Sequence, residues 1–168
     1  MSTLRAYLIP LLQALVLFAV LSAAVDWWRS PEQPVQSADK PLLTLTRHTT
    51  SLAELSRDQT AVLYFWGSWC GICRYTSPVI EDLHQAGIPV LSIALNSGND
   101  ATVGSYLQQH SFHFPTVNDA DGSLSRQWQV GVTPTIILIK NGKMVHHTTG
   151  LSSYWGLRGR IWLADKLS

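Results

Sequence analysis

The clearest indication of the fold of this chain of 168 residues is the segment Ala61-Val-Leu-Tyr-Phe-Trp-Gly-Ser-Trp-Cys-Gly-Ile-Cys73. Its first five residues are a continuous apolar run rich in β-forming residues, which predicts a central strand over 61–65 that is buried on both faces. A helix is predicted from about Ile72 to Gln85, with Pro78 inside it and Gly87 at its end. A strand, a short turn and a helix therefore converge on the cysteine pair.

The cysteine pair has the spacing that thiol–disulfide chemistry requires. A sulfur at a helix N-terminus faces unpaired amide N–H groups and the positive end of the helix dipole, which favour thiolate over thiol. Cys70 is therefore the predicted nucleophile. Cys73 lies one helical turn further on, close enough to attack a mixed disulfide on Cys70, and is the predicted resolving cysteine.

Further apolar runs predict the other strands of the domain. Strands are expected over 89–95 and 135–139, and the pair Asn141-Gly142 predicts a hairpin whose second strand covers 144–148. Strands that alternate with helices give a largely parallel sheet, to which the hairpin adds an antiparallel edge. The predicted fold class is α/β, with a mixed central sheet and helices on both faces, over residues 42–168.

Three further helices complete the predicted domain. The capping-box sequence Ser51-x-x-Glu54 indicates a short first helix, and Asn99 or Asp100 begins a helix that runs to about His110. The last helix is expected from Tyr154 to Leu167, and its candidate packing residues are Trp155, Ile161 and Trp162.

The N-terminal region predicts attachment to a membrane. Residues 6–25 carry no charge, and twenty helical residues match a hydrocarbon core of about 30 Å. We interpret them as a transmembrane anchor, with residues 1–5 in the cytoplasm and 26–41 as a proline-containing tether. A cleaved signal peptide that ends near Ser22-Ala23-Ala24 is the alternative.

Composition and cysteine count exclude several classes of protein. Only 14% of residues are charged, with 12 Lys+Arg against 11 Asp+Glu, so disorder and nucleic-acid binding by bulk charge are not expected. Two cysteines also exclude a multi-bridge secreted scaffold and a four-cysteine zinc module.

These motifs resemble the thioredoxin superfamily. The resemblance rests on Phe65-Trp-Gly-Ser-Trp-Cys-Gly-Ile-Cys73, on Pro78 and on Gly131-Val-Thr-Pro-Thr135. It implies that Pro134 is cis and that the backbone of Thr133 pairs with a substrate strand. It further implies an active-site turn of Trp69, Gly71 and Ile72. Trp66 is a candidate substrate contact, with core packing as the alternative.

Within that superfamily the chain is similar to the membrane-tethered exported branch, the cytochrome c maturation type, and to its suppressor-of-copper-sensitivity group. This resemblance implies a periplasmic thiol–disulfide oxidoreductase on the inner membrane, acting more as a reductase than as an oxidant, with a role in copper tolerance. The expected partners are exported protein thiols and disulfides, a membrane electron carrier and the bilayer. A monomer without cofactor, metal or nucleic acid is expected.

The chain departs from the family at two positions near the cysteines. Tyr64 stands where thioredoxins usually carry a buried Asp, and Thr76 stands where the cytochrome-maturation relatives usually carry a Glu. No carboxylate at either position can accept the proton of the resolving thiol. We therefore expect water or the substrate complex to accept it, with slower resolution.

Two other functions remain open on the sequence. The same cysteine pair suits Cu(I), which would make the protein a copper-delivery module, although only Met1 and Met144 could add thioether ligands. A tethered interaction domain controlled by the redox state is the third alternative. The pairs His110/His113 and His146/His147 are interpreted as surface residues, because no carboxylate or cysteine lies at metal-ligand spacing from them.

Overall fold

The computed structural model describes residues 30–167 and, closer to the N-terminus, residues 13, 16, 17, 20 and 21. The chain divides into two compact units, Met1–Ser30 and Pro31–Ser168. The five residues described before Ser30 are helical and exposed, and most of the predicted anchor lies outside the described residues. Within the described part of the chain, no helix combines the length and the apolarity needed to cross a membrane.

The second unit is an α/β domain built on a five-stranded sheet with the order β5-β4-β3-β6-β7. A separate two-stranded ribbon is formed by β1 and β2. The elements are, in chain order, β1 Leu42–Leu43, β2 Thr49–Thr50, α1 Leu52–Leu55, β3 Ala61–Trp66, α2 Cys73–Gln85, β4 Val90–Leu95, α3 Asp100–Gln109, β5 Thr116–Asp119, α4 Ser123–Gln127, β6 Thr135–Lys140, β7 Lys143–Thr149 and α5 Tyr154–Leu167.

Strand β3 lies at the centre of the sheet and leads directly into the cysteine turn. It pairs in parallel with β4 and antiparallel with β6, so the sheet is mixed as predicted. All six of its residues are buried. A strand covered on both faces needs apolar side chains throughout, which is the pattern that the sequence shows here.

Helices cover both faces of the sheet. Val62, Tyr64 and Trp66 of β3 point to one face, where Ile80 of α2 and Leu157 of α5 join the same buried cluster. Leu63 and Phe65 point to the other face and pack in a cluster with Leu52 of α1 and Trp128 after α4. The two-residue period of a strand thus divides β3 between two cores.

The predicted helix starts are confirmed at two caps. Ser51 Oγ accepts a hydrogen bond from Glu54 N at the start of α1, and Asn99 Oδ1 accepts one from Thr102 N at the start of α3. The helix α2 continues through Pro78 and ends before Gly87, which has a φ of 81°. Such a positive φ favours glycine, so the position agrees with the predicted end of the helix.

The segment predicted as a tether lies partly against the domain. Glu32 N donates to Trp128 O, and the side-chain amide of Gln33 donates to Gly142 O and accepts from Met144 N. The compact unit consequently begins at Pro31, before the predicted start of the domain at Leu42.

Two expectations about α5 need correction. Trp155 is 79% exposed and Trp162 is 62% exposed, whereas Leu157 and Ile161 are buried. The tryptophans do not pack in the core, because the buried stripe of this helix runs through positions 157 and 161 and the helical period of 3.6 places 155 and 162 on the opposite side. Ile161 is a packing residue as predicted.

Candidate functional site

The cysteine pair lies where β3 ends and α2 begins. Cys70 and Cys73 are joined by a disulfide bond. Cys70 is 6% exposed and belongs to the turn before the helix, whereas Cys73 is the first residue of α2 and has no exposed surface. Only the first sulfur can therefore be approached from solvent.

The helix N-terminus supplies a donor to the accessible sulfur. The backbone N–H of Cys73 donates to Cys70 Sγ at 3.2 Å. The turn is also fixed by Cys70 N, which donates to Gly67 O at 3.0 Å. In the reduced protein this N–H and the helix dipole stabilise negative charge on Cys70, which agrees with its predicted role as the nucleophile.

The Thr133–Pro134 peptide bond is cis and faces the same sulfur. Thr133 O lies 3.5 Å from Cys70 Sγ. Pro134 is buried and its carbonyl accepts a hydrogen bond from Gly150 N at 2.9 Å, while Thr133 remains partly exposed. The cis bond implied by the resemblance is present, and the backbone of Thr133 lies beside the reacting atom.

Trp69 lies on the rim of the site. It is 60% exposed, and its indole N–H donates to Leu95 O at 3.1 Å. A Cβ at position 67 would lie 2.6 Å from an atom of the Trp69 ring, so Gly67 is needed to let the indole lie across the turn. Gly71 and Ile72 are exposed beside it, which leaves an open apolar rim around Cys70.

Trp66 is core packing and cannot contact a substrate. It has no exposed surface, and its indole N–H donates to Ser92 Oγ at 3.1 Å. The reason is the alternation along β3, which places Trp66 on the same buried face as Tyr64 and Val62. Of the two alternatives weighed for Trp66, the structure supports packing beneath the site.

The residues three and four positions after the resolving cysteine on α2, Thr76 and Ser77, carry hydroxyl groups and not carboxylates. Tyr64 Oη and Ser77 Oγ are 2.9 Å apart in the buried cluster that also contains Cys73. Burial raises the pKa of Tyr64, so its hydroxyl stays protonated at neutral pH. Thr76 Oγ1 is buried and has no hydrogen-bond partner among the described residues.

A buried carboxylate that sequence reasoning missed lies further along α2. Glu81 accepts hydrogen bonds from His113 N at 2.8 Å, Phe114 N at 3.2 Å and Gln85 Nε2 at 3.0 Å, and His113 Nδ1 lies 2.9 Å from its Oε1. Burial raises the pKa of Glu81, but these bonds outweigh it and leave the pKa below its ordinary value. Its spacing of four from Ser77 and eight from Cys73 is the signal that puts Glu81 on the buried face.

The described residues contain no cluster of three or more His, Cys, Asp or Glu side chains that could hold a metal ion. His110 stacks between the rings of Tyr106 and Phe112, and His113 is occupied with Glu81. The disulfide between Cys70 and Cys73 offers the transfer of two electrons through that bond.

An accessible sulfur at a helix N-terminus, a buried second sulfur and a neighbouring cis-proline define a thiol–disulfide oxidoreductase of thioredoxin-like fold. The family model described as Redoxin matches residues 31–153, and the chain belongs to that family. The redox group is the cysteine pair itself.

Several known proteins are similar to the chain. A thioredoxin-like protein of Haemophilus influenzae is 47% identical, over 88% of this chain and 89% of that protein. The thiol–disulfide oxidoreductase ResA of Oceanobacillus iheyensis is 24% identical over 94% of this chain and 85% of its own length. A crystal structure of a secreted disulfide oxidoreductase of Mycobacterium tuberculosis, homologous to Escherichia coli DsbE, has a TM-score of 0.63 at 25% identity; the match covers 77% of this chain and 98% of that one.

Proposed function

We propose that this protein is a membrane-anchored periplasmic reductase that donates electrons to disulfides of exported proteins. The observation that carries the proposal is the asymmetry of the cysteine pair. Cys70 keeps 6% of its surface exposed and receives the N–H of Cys73, whereas Cys73 has no exposed surface. Such a pair attacks through one sulfur and resolves through the other.

The reaction begins when the Cys70 thiolate attacks one sulfur of a substrate disulfide. The substrate S–S bond breaks, a mixed disulfide with Cys70 forms, and the released substrate sulfur takes up a proton. Cys73, once deprotonated, attacks Cys70 Sγ, so the mixed disulfide breaks and the Cys70–Cys73 bond forms. Two electrons and two protons pass to the substrate, and the cysteine pair is left oxidised.

The backbone of Thr133 would hold the substrate during this exchange. Its carbonyl lies 3.5 Å from Cys70 Sγ, and the peptide groups of an extended substrate segment could pair with it. Pairing through backbone groups gives affinity with little dependence on side chains. A reductase that serves several exported proteins requires this kind of recognition.

The location rests on the N-terminal sequence, and the direction of electron flow rests on the resemblance to the membrane-tethered exported branch. Residues 6–25 have the length and apolarity of a single span. The resemblance to the exported branch favours export of the domain that follows them. One similar protein, from Mycobacterium tuberculosis, is described as secreted. In an oxidising compartment a reductase must be recharged, so a membrane electron carrier belongs to the proposal. We propose that it acts as a monomer.

Trapping of mixed disulfides tests the reaction. In a Cys73→Ala variant, Cys70 can attack but no resolving thiol remains, so covalent complexes with exported proteins should accumulate in the cell envelope. Cys70→Ala is the matched control and should trap nothing. Absence of thiol-sensitive complexes in the Cys73→Ala strain would overturn the proposed function.

The direction of flow is tested by the redox state in the cell and by the reduction potential of the purified protein. Acid quenching and thiol alkylation should find the pair mostly reduced, and the potential should lie near about −270 mV, as in thioredoxin. A mostly oxidised pair with a potential near about −120 mV would make the protein an oxidant.

A role in copper tolerance follows from the resemblance to the suppressor-of-copper-sensitivity group and is proposed as the physiological setting. Two thiolates also suit Cu(I) directly, which is the alternative function. Tight Cu(I) binding by the reduced pair, together with the absence of trapped mixed disulfides in the Cys73→Ala strain, would favour copper delivery over disulfide reduction. Partner binding that survives replacement of both cysteines by serine would favour an interaction domain.

A further inference from the structure

The outer surface of α5 exposes large apolar side chains together with cations. Helix α5 has 14 residues, and four of its large apolar side chains are exposed: Trp155, Trp162, Leu163 and Leu167. We define the α5 outer surface as Trp155, Arg160, Trp162, Leu163, Lys166 and Leu167. Contiguous exposed apolar surface on a water-soluble domain marks a place where another surface binds.

The α5 outer surface lies on a different side of the helix from the residues that pack in the core. Leu157 and Ile161 are the buried residues of α5 and belong to the same cluster as the cysteines. Trp155 and Trp162 are separated by seven residues, so they lie on one ridge on the solvent side. Leu163 and Leu167 are separated by four residues and form the neighbouring ridge.

The charge of the α5 outer surface is positive. The only acidic residue between 154 and 167 is Asp165. Its Oδ1 accepts hydrogen bonds from Thr60 N and Thr60 Oγ1, both at 2.7 Å, and lies 3.3 Å from Lys140 Nζ. Asp165 therefore faces the domain, and Arg160 and Lys166 remain on the outside without an acidic neighbour on the helix.

We propose that the α5 outer surface docks on an anionic phospholipid membrane. Tryptophan rings collect at the interface between headgroups and acyl chains, and leucines insert beside them. Arginine and lysine at the same level bind lipid phosphates. Between two copies of the chain related by a two-fold axis, the surface would meet itself and oppose like charges, which disfavours a homodimer.

The short segment between the predicted membrane span and the domain supports a membrane as the binding partner of the α5 outer surface. Only residues 26–30 separate the predicted membrane span from the domain that begins at Pro31. At roughly 3.4 Å per extended residue, this link keeps the start of the domain within about 20 Å of the bilayer. The membrane would thus be the most concentrated apolar and anionic surface within reach of α5. This step rests on the predicted anchor and not on the thiol chemistry.

Docking through α5 would also hold the active site near the bilayer. Leu151, at the N-terminal side of α5, is exposed and follows Gly150. Gly150 N donates to Pro134 O, so this end of the surface adjoins the cis-proline loop beside Cys70. Substrates that pass close to the membrane surface would meet the reactive sulfur first.

Fluorescence quenching by brominated phospholipids tests the proposal. The full chain is reconstituted in vesicles of phosphatidylglycerol and phosphatidylcholine with brominated acyl chains. Trp27 and Trp28 directly follow the predicted span, so all proteins in this experiment, the wild-type reference included, carry Trp27→Phe/Trp28→Phe. In that background the double variant Trp155→Gln/Trp162→Gln should lose most of the fluorescence intensity that brominated lipid quenches in the reference protein. Trp69→Gln is the matched control, because Trp69 is also exposed but lies beside the cysteines, and it should lose none of that quenched intensity.

A charge variant keeps the tryptophans and isolates the role of lipid phosphate. Arg160→Glu/Lys166→Glu should lower the quenching in phosphatidylglycerol vesicles to the level seen in phosphatidylcholine alone. Equal quenching in the wild type and the tryptophan double variant would overturn the proposal. So would a dimer in detergent that only the double variant abolishes. Disulfide reduction measured on the same samples reports on the proposed function separately, since its loss would leave lipid quenching unchanged.

Discussion

Strand β3 carries different kinds of side chain on its two faces. On the face that packs under α2 and α5, Tyr64 contacts Ser77, and Trp66 donates to Ser92, whose hydroxyl lies 2.8 Å from Thr116 Oγ1. On the opposite face the inward-pointing side chains of β3, Leu63 and Phe65, carry no polar group. The buried side-chain hydrogen bonds there lie outside β3, where Ser56 Oγ donates to Leu52 O and Asp119 accepts from Ser125 Oγ. Neighbouring residues of one strand therefore serve two different interiors.

The two faces of β3 have different roles: one positions the side chains of the redox site, and the other mainly stabilises the fold. Buried hydroxyl and indole groups need hydrogen-bond partners, and few side-chain conformations on the polar face supply all of them. The hydrogen bonds therefore hold the side chains around Cys73 in defined positions. On the opposite, apolar face of β3, Leu63 and Phe65 have no such directional requirement and contribute mainly through the burial of apolar surface. We therefore expect changes on the first face to alter the redox reaction and changes on the second to alter folding.

The largest expected effect is on the polar face, at the reactive sulfur. Cys70→Ser should reduce disulfide-reductase turnover to the uncatalysed rate, because no other accessible thiol exists. The free energy of unfolding of the reduced protein should change by less than about 1 kcal/mol. Turnover with a chemical reductant and urea unfolding measure the two quantities, and appreciable turnover in the variant would contradict the assignment of Cys70.

The apolar face should show the reverse result. Leu63→Ala removes a fully buried side chain and leaves a cavity, so the free energy of unfolding should fall by about 2–5 kcal/mol. The alkylation rate of Cys70 in the folded, reduced variant should equal that of the wild type. A changed pH dependence of alkylation would show that the two faces are coupled.

Glu81 provides a further test of the polar face, because its carboxylate is buried at the edge of that face. Its lowered pKa means that ionised Glu81 stabilises the fold above the pKa of the unfolded carboxyl, and that this stabilisation is lost as the pH falls through the folded-state pKa. Glu81→Gln should cost about 1–3 kcal/mol at pH 7 and less in acid. Urea unfolding across that pH range measures the effect. Glu54→Gln, at an exposed carboxylate, is the control and should change little.

The smallest expected effect concerns the hydroxyl pair. Tyr64→Phe and Ser77→Ala should each lower the free energy of unfolding by about 0.5–1.5 kcal/mol. The double variant should cost less than the sum of the two, since one hydrogen bond is lost only once. Resolution by Cys73 is followed on the same variants against pH. A carboxylate-like ionisation in the wild-type profile would contradict the expectation that water accepts the proton.

The long apolar elements of this fold could be predicted from the sequence. Strand β3 is a continuous apolar run, β4 is apolar apart from Ser92, and β6 is apolar between its two end residues. Helix α5 has the predicted bounds. The Asn141-Gly142 hairpin joins β6 to β7, and both of its turn residues have positive φ. These features depend on local chemistry, which the sequence displays directly.

Elements set by tertiary contacts were not predicted in this way. Thr116–Asp119 has one apolar residue, and it becomes β5 because it pairs in parallel with β4. In the site, the two cysteines and the cis-proline were predicted from sequence motifs. The burial of Trp66 could also have been predicted, because side chains alternate along β3 and Trp66 lies on the same face as Tyr64. Exposure of Trp155 and Trp162 could not, because an apolar residue on a helix does not reveal by itself which side faces the sheet.

The side-chain amide of Gln33 has a consequence for the colloidal behaviour of the protein. Strand β7 is an edge of the sheet, and an unpaired edge offers backbone groups to a strand of another molecule. Gln33 occupies one of these groups, Met144 N, together with Gly142 O in the turn before β7, in the manner of a neighbouring peptide unit. A chain shortened to begin at Leu42 would uncover this end of β7, and light scattering should then detect aggregation that the chain from Pro31 onward does not show.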